Sequence, residues 1–339
     1  MELRAGEVQG GVSTVYLGGG TPSQLSAGQL RQLFVQLGLV FGLAGVKEVT
    51  IECNPDDVTA DFAAMLQHLP VNRVSMGVQN FSNERLRFLR RRHTAEQIAT
   101  AVNLLRSAGV GNISIDLMYG LPGQTLSDWH QDIDAALRLN VQHLSAYSLM
   151  FEEGTVLDQK RQEENRNGGG KHYQPVDEEL ERQMFYDLTD RLHRAGYEHY
   201  EISNFAKPGF RSLHNSNYWN GTPYVGLGAA AHGYDGDRRR YWNMSDVEQY
   251  VCGVEQGQCF SEGEELDADT RYNEQVMTAL RTSEGISLSR LSPSQRTYCL
   301  GQARRFLLDG SLACDDDCLH LTRKGLFVSN MIMSELMIV

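Results

Sequence analysis

Five short runs of apolar and β-branched residues recur along the first part of this chain, at 12–17, 46–52, 73–77, 112–116 and 143–149. Between them lie "SAGQLRQLFVQLG", "DFAAMLQHL", "AEQIATAVNLLRSAG" and "LSDWHQDIDAALRL", whose apolar positions repeat with the period of a helix. Ser26 and Asp61 suit helix N-caps, and Gly38 and Gly109 suit helix stops. Strand, helix, strand at a spacing of roughly thirty residues predicts parallel βα units wound right-handed. The fold class expected is α/β, a partial parallel (β/α) barrel.

Each of these strands runs out into a polar or glycine-rich stretch: "GGGTP", "ECNP", "GVQNF", "DLMYGLPGQT" and "SLMFEEGT". Ligands of parallel barrels bind at the C-terminal ends of the strands. Thr21, Glu52, Gln79, Asp116 and Glu152 are therefore expected around one mouth. The glycines at 18–20 would let a ligand amine approach bare main-chain carbonyls, and neighbouring carboxylates could bind that amine or a ribose diol. No Lys comes after the glycines as a P-loop requires, and the spacing is not that of a dinucleotide fingerprint.

Beyond the βα repeat the pattern changes. Residues 161–176 run from charged to glycine-rich and are expected to form an exposed linker after a first domain at 1–160. "DEELERQMFYDLTDRLHRAG" is an amphipathic helix stopped at Gly196 and opens an aromatic-rich region at 177–262. Residues 263–339 combine helices with the hairpin "SLACDDDCLHLTRKG".

Composition narrows the function classes. Of 339 residues, 41% are hydrophobic and 22% charged, an ordinary globular balance. A net charge of −12 argues against a dedicated nucleic-acid binder, and the basic runs at 90–92 and 238–240 read as solvated faces. The start has no apolar signal region, so the chain is expected to be cytoplasmic, with its six cysteines as reduced thiols. Cys314 and Cys318 in "CDDDC" sit at an expected hairpin tip without a third ligand at useful spacing, and are not expected to hold a metal.

"YLGGGTPSQL", "ECNPDDVT", "RVSMGVQNF", "RRRH", "NISIDLMYGLPGQT" and "SAYSLMFEEGT" resemble the radical S-adenosylmethionine (SAM) proteins related to oxygen-independent coproporphyrinogen III oxidase, and within them the HemW-type heme-chaperone branch. The resemblance covers almost the whole chain. It implies that Gly19, Gly20 and Thr21 hold the methionyl amine of SAM, and that Glu52, Gln79, Arg91 and Asp116 complete the site. Arg91 would reach the carboxylate and Asp116 the ribose. The last residues resemble the family's small winged-helix-like C-terminal module, which here has no basic stripe and reads as a lid or docking surface.

The hallmark of the family is C-x-x-x-C-x-x-C after the first barrel strand, whose thiolates hold a [4Fe–4S] cluster. The sequence contains no such motif. Its first strand corresponds to the family's second, so the first barrel strand is missing, and "MELRAGE" reads like the tail of the intervening helix. Met1 is then expected to be an internal start of a longer natural protein. Without the thiolates, the resemblance does not carry radical chemistry over to this chain.

"HNSNYW", residues 214–219, matches the H-N-x-x-Y-W motif of the heme-chaperone branch. An imidazole can ligate heme iron directly. His214 is the candidate iron ligand, Asn215 a partner for a propionate or for the imidazole, and Tyr218 and Trp219 the planes that would cover a macrocycle. His232 is the next candidate ligand. A helix would put His214 and Tyr218 on one face, and an extended segment would group His214, Ser216 and Tyr218. The resemblance implies a chaperone that hands heme to apoproteins such as respiratory cytochromes. The alternative is an enzyme of porphyrin biosynthesis that decarboxylates coproporphyrinogen III. Nucleic acid is not an expected partner. Homodimer formation and membrane contact through partners stay open.

Overall fold

The computed structural model describes residues 1–170 and 172–339. Along the first stretch β1 (Thr14–Leu17), α1 (Ala27–Phe41), β2 (Glu48–Cys53), α2 (Ala60–Leu66), β3 (Arg73–Gln79), α3 (Asn83–Phe88), α4 (Ala95–Ser107), β4 (Asn112–Tyr119), α5 (Leu126–Leu139) and β5 (His143–Ser148) alternate as expected. Then come α6 (Val156–Arg166), α7 (Glu178–Arg194), β6 (Glu198–Glu201) and β7 (Asn204–Ala206). The strands form one sheet in the order β1-β2-β3-β4-β5-β7-β6. The pairs β2–β3, β3–β4 and β4–β5 are parallel, whereas β7 pairs antiparallel with both β5 and β6. The sheet is thus a parallel core extended by an antiparallel hairpin.

Two local expectations are corrected. The cap of α2 is Thr59, whose side chain accepts from Phe62 N–H, while Asp61 sits in the first turn. Helix α1 runs through Gly38 to Phe41, and the left-handed turn falls at Gly42 with φ +69°. A helical glycine costs only about 1 kcal/mol, and the buried face of Leu30, Phe34 and Leu37 carries the helix on. Ser26 does cap α1: its hydroxyl accepts from Gln29 N–H at 3.3 Å. Gly109, with φ +86°, and Gly196, with φ +84°, come after α4 and α7 as helix stops.

Residues 16–29 and 48–211 make up one compact unit. In its central strands both faces are buried, and they differ in kind. Val49, Ile51, Val74, Met76, Ile113, Ile115 and Leu144 form an apolar face. Glu48, Thr50, Arg73, Ser75, Ser114, His143 and Ser145 form a polar one, each 8% exposed or less. Buried polar groups need partners. His143 finds them in Ser114 Oγ at 2.7 Å and Tyr200 OH at 2.8 Å, and burial holds its imidazole well below the usual range, hence neutral. On the apolar side Trp129 is fully buried, stacked on Tyr119, and donates its indole N–H to Met184 O at 2.9 Å.

The second unit comprises residues 1–15, 30–47 and 212–339. It contains α8 (Leu213–Trp219), β8 (His232–Tyr234), β9 (Arg239–Asn243), α9 (Val247–Glu255) and β10 (Ser261–Glu265), then α10 (Ala268–Ala279), β11 (Ile286–Ser287), α11 (Pro293–Leu308), β12 (Leu312–Asp315), β13 (Cys318–Leu321), α12 (Arg323–Phe327) and α13 (Ser329–Leu336). Its sheets are β10-β9-β8 and β11-β13-β12, all antiparallel. The β12–β13 tip is Asp316-Asp317, both left-handed, with the exposed Cys314 and the half-buried Cys318 beside it. The N-terminal segment is tied down here: Arg4, 6% exposed, donates to Glu7 and Asn243 and stacks on Tyr241. No helix among the described residues is long and apolar enough to cross a membrane.

Candidate functional site

A cavity of about 220 Å³ opens at the C-terminal ends of β2, β3 and β4. Gly20, Thr21, Glu52, Gln79, Arg91 and Asp116 all line it. Gly19 stands next to it, its N–H directed to Glu52 Oε2 at 3.3 Å. Glu152, expected at this mouth from its place after a strand, is exposed and outside the lining.

Each wall has a local cause. Glu52 bridges the glycine turn and β1: Tyr16 OH donates to its Oε1 at 2.7 Å. Burial, then the charge of Glu52, pushes the Tyr16 phenol far up, so that it stays a donor. Asp57 ties the two loops together, accepting from Ser23 Oγ at 2.7 Å, Gln24 Nε2 at 2.5 Å and Asn54 Nδ2 at 3.3 Å. Arg92, from the basic run at 90–92, pairs with Asp56 and Asp57 at 3.0 Å, and Arg91 reaches Asn54 Oδ1 at 3.3 Å. Of that run Arg91 lines the cavity, while Arg90 and Arg92 are exposed.

Two glycines shape the cavity by having no side chain. A Cβ at Gly77 would lie 3.2 Å from Gln79 Nε2 and 3.7 Å from both Arg91 Nη2 and Asn54 Oδ1. Gly20 has φ +59°, with open space where a Cβ would point.

Gln79 also holds a left-handed backbone, φ +65°, after a register shift in the β3–β4 pairing. A non-glycine residue there carries strain of about 1 kcal/mol or more. Gln79→Gly is therefore expected to leave the melting temperature unchanged or raised while weakening ligand binding at the cavity. A clear drop in melting temperature would show that the side chain, rather than the backbone bend, is what the fold uses.

Asp116 sits opposite Ser145 in the β4–β5 register. Burial pushes its carboxyl up to about 6, against the opposing pull of a Ser145 hydrogen bond and the Arg73 guanidinium. Between the ordinary value of 3.8 and about 6 the folded chain holds more protons than the unfolded one. Stability is then lost as pH rises through that window. Asp116→Asn is expected to stabilise the fold at pH 7 by about 1–3 kcal/mol, with the gain vanishing below about pH 4. Urea titrations at the two pH values check this, and an equal effect at both would contradict it.

Tyr16, Asn54, Ser75, Arg73 and Ser145 escape a reading based on strand ends alone. For Arg73, Ser75 and Ser145 the signal is the alternation that opens "RVSMGVQ" and "HLSAYS", where residues on both faces are buried; Tyr16 and Asn54 lie outside those runs.

The heme-motif residues lie together on α8, in the other unit. The segment is helical, so His214 and Tyr218 share a face, with their rings edge-to-face at 5.0 Å. Asn215 uses its backbone N–H to complete the Ser212 cap at 3.3 Å. Trp219 lies under the Arg281 guanidinium at 5.0 Å, with its indole N–H buried and unpartnered. His232, on β8, is exposed and lies beside Trp242 at 6.1 Å.

The cysteines do not form a cluster site. All six are unpaired, and Cys53 and Cys299 are buried. Burial and the nearby carboxylate of Asp57 raise the Cys53 thiol far above its ordinary value, which disfavours the thiolate a metal needs. Among the described residues no group of three or more His, Cys, Asp or Glu could hold a metal ion. The donors present do not fit a [4Fe–4S] cluster.

The family model of the radical SAM superfamily matches residues 1–136, and that of the HemN C-terminal domain matches residues 266–328. The heme chaperone HemW of Lactococcus lactis is 34% identical over 331 residues, spanning 96% of this chain and 84% of its own. The chain belongs to the HemW family. The HemW of Bacillus subtilis is likewise 34% identical, over 94% of this chain and 84% of its own. Among solved structures, the coproporphyrinogen III oxidase HemN of Escherichia coli superposes with a TM-score of 0.79 over 96% of this chain and 77% of its own, at 24% identity. That likeness establishes a shared fold and no shared activity.

Proposed function

We propose that this chain binds heme at the α8 face and passes it to acceptor apoproteins, respiratory cytochromes among them, and that the strand-end cavity binds SAM. The observation that carries the heme reading is the 34% identity to heme chaperones along nearly the whole chain. The α8 geometry supports it. An imidazole and a phenol stand side by side on one helical face, and Tyr218 is 39% exposed.

For SAM, the support is chemical fit. Gly20 and Thr21 offer main-chain atoms to the methionyl amine, Arg91 offers a guanidinium to the carboxylate, and Asp116 offers a carboxylate to the ribose diol. Gly19 keeps the turn in place through Glu52, and Gln79 offers its amide. Bound there, SAM would supply an activated sulfonium; these residues hold and orient it. The six free cysteines lend no support to the coproporphyrinogen oxidase alternative.

The test is a titration of the purified chain with hemin and, separately, with SAM by calorimetry. A saturable Soret shift at one hemin per chain is expected, as is measurable heat with SAM. A featureless, non-saturating hemin spectrum would overturn the heme reading, and no heat with SAM at millimolar concentration would overturn the nucleotide reading.

A further inference from the structure

His214 is engaged at both ring nitrogens. Its Nδ1 lies 2.9 Å from Thr14 Oγ1, and its Nε2 lies 3.0 Å from Tyr218 OH. Thr14 belongs to β1, 200 residues away in sequence, and its hydroxyl also accepts from Asn217 Nδ2 at 3.4 Å. His214 and Asn217 are one helical turn apart, so α8 brings both side chains to the same oxygen.

A neutral imidazole has one N–H and one lone-pair nitrogen, and the partner of one fixes the role of the other. Two proton arrangements fit these contacts. In one, Nδ1–H donates to Thr14 and the Tyr218 O–H donates to Nε2. In the other, Thr14 donates to Nδ1, and Nε2–H donates to Tyr218. Chemistry favours the first. A phenol is a stronger donor than an aliphatic alcohol, and an imidazole nitrogen is a better acceptor than a phenol oxygen. The two lone pairs of Thr14 Oγ1 accommodate both Nδ1–H and the Asn217 amide.

We infer that Thr14 is a positioning residue that fixes His214 in the Nδ1–H tautomer, leaving Nε2 as the iron-binding nitrogen, and that Tyr218 OH caps that nitrogen until heme displaces it. The inference rests on the reading of His214 as the heme ligand. Tyr218 is 39% exposed, so its hydroxyl can leave without opening a cavity in the core. The phenol thus competes with the cargo for one nitrogen, a built-in bias toward release.

The test uses the full chain. Without heme, ¹⁵N NMR of labelled histidine is expected to show His214 protonated at Nδ1 and pyridine-like at Nε2. Protonation at Nε2 in the wild type overturns the inference. Thr14→Val, which keeps the shape and removes the acceptor, is expected to weaken hemin binding about tenfold or more, as losses of ligand-orienting partners do. Thr14→Ser should restore it, and Tyr218→Phe should bind hemin several-fold more tightly. Wild-type affinity in Thr14→Val, with binding lost in His214→Ala, overturns the inference and leaves the heme reading standing. Unchanged affinity in His214→Ala removes His214 as the heme ligand, and the assignment of the iron-binding nitrogen with it.

Discussion

His214→Ala is expected to lower hemin affinity by about a hundredfold, equivalent to about 2.7 kcal/mol, and to abolish the Soret shift. The fold should survive, because the helix does not depend on that side chain. Helix α8 is capped by Ser212, whose hydroxyl accepts from Asn215 N–H, and its other end packs Trp219 beneath Arg281. His214 itself is only half-buried. Circular dichroism and melting temperature should therefore match the wild type while the spectrum of added hemin stays that of free hemin. A folded variant with an unchanged Soret band would remove His214 as the ligand. Tyr218→Ala and Trp219→Ala extend the test to the covering planes, and unchanged affinity in both would leave the motif without a role in heme binding.

The second large effect is expected at the cavity. Gly20→Val places a β-branched side chain at φ +59°, a conformation such residues rarely adopt. The added atoms meet no protein atom within 4 Å, so they project into open space beside the cavity lining. Backbone strain of about 1–2 kcal/mol and occupation of ligand space act together. SAM affinity is expected to fall tenfold or more, with a modest drop in melting temperature. Gly20→Ala should show most of the strain with less of the obstruction, which separates the two causes. Equal SAM affinity in wild type and Gly20→Val would show that the ligand does not use this turn.

The βα alternation and the gathering of Gly20, Thr21, Glu52, Gln79 and Asp116 are legible in the sequence because strand ends and period are local properties of the chain, whereas Arg91, in the loop between α3 and α4, is reached only through the family resemblance. Hairpin β6–β7 is not, because its strands are only four and three residues long, too short to show alternation. The place of Gly38 inside α1 escapes because a buried apolar face outweighs one residue's propensity. Thr59 and Asp61 both suit the N-terminus of α2, and only backbone geometry chooses between them. Thr14 as the partner of His214 cannot be read at all. Nothing in "GVSTVYL" points to a helix two hundred residues on. Contacts made by one side chain across such a separation leave no periodic trace.

The most direct test of heme chaperoning is transfer itself. The chain loaded with one equivalent of hemin is mixed with a heme-free b-type cytochrome domain, and the two are followed by their distinct Soret bands. Heme is expected to appear in the acceptor with loss from the chain, and His214→Ala to deliver no faster than free hemin. Heme that stays on the wild-type chain, or reaches the acceptor at the rate of free hemin, would contradict a chaperone role.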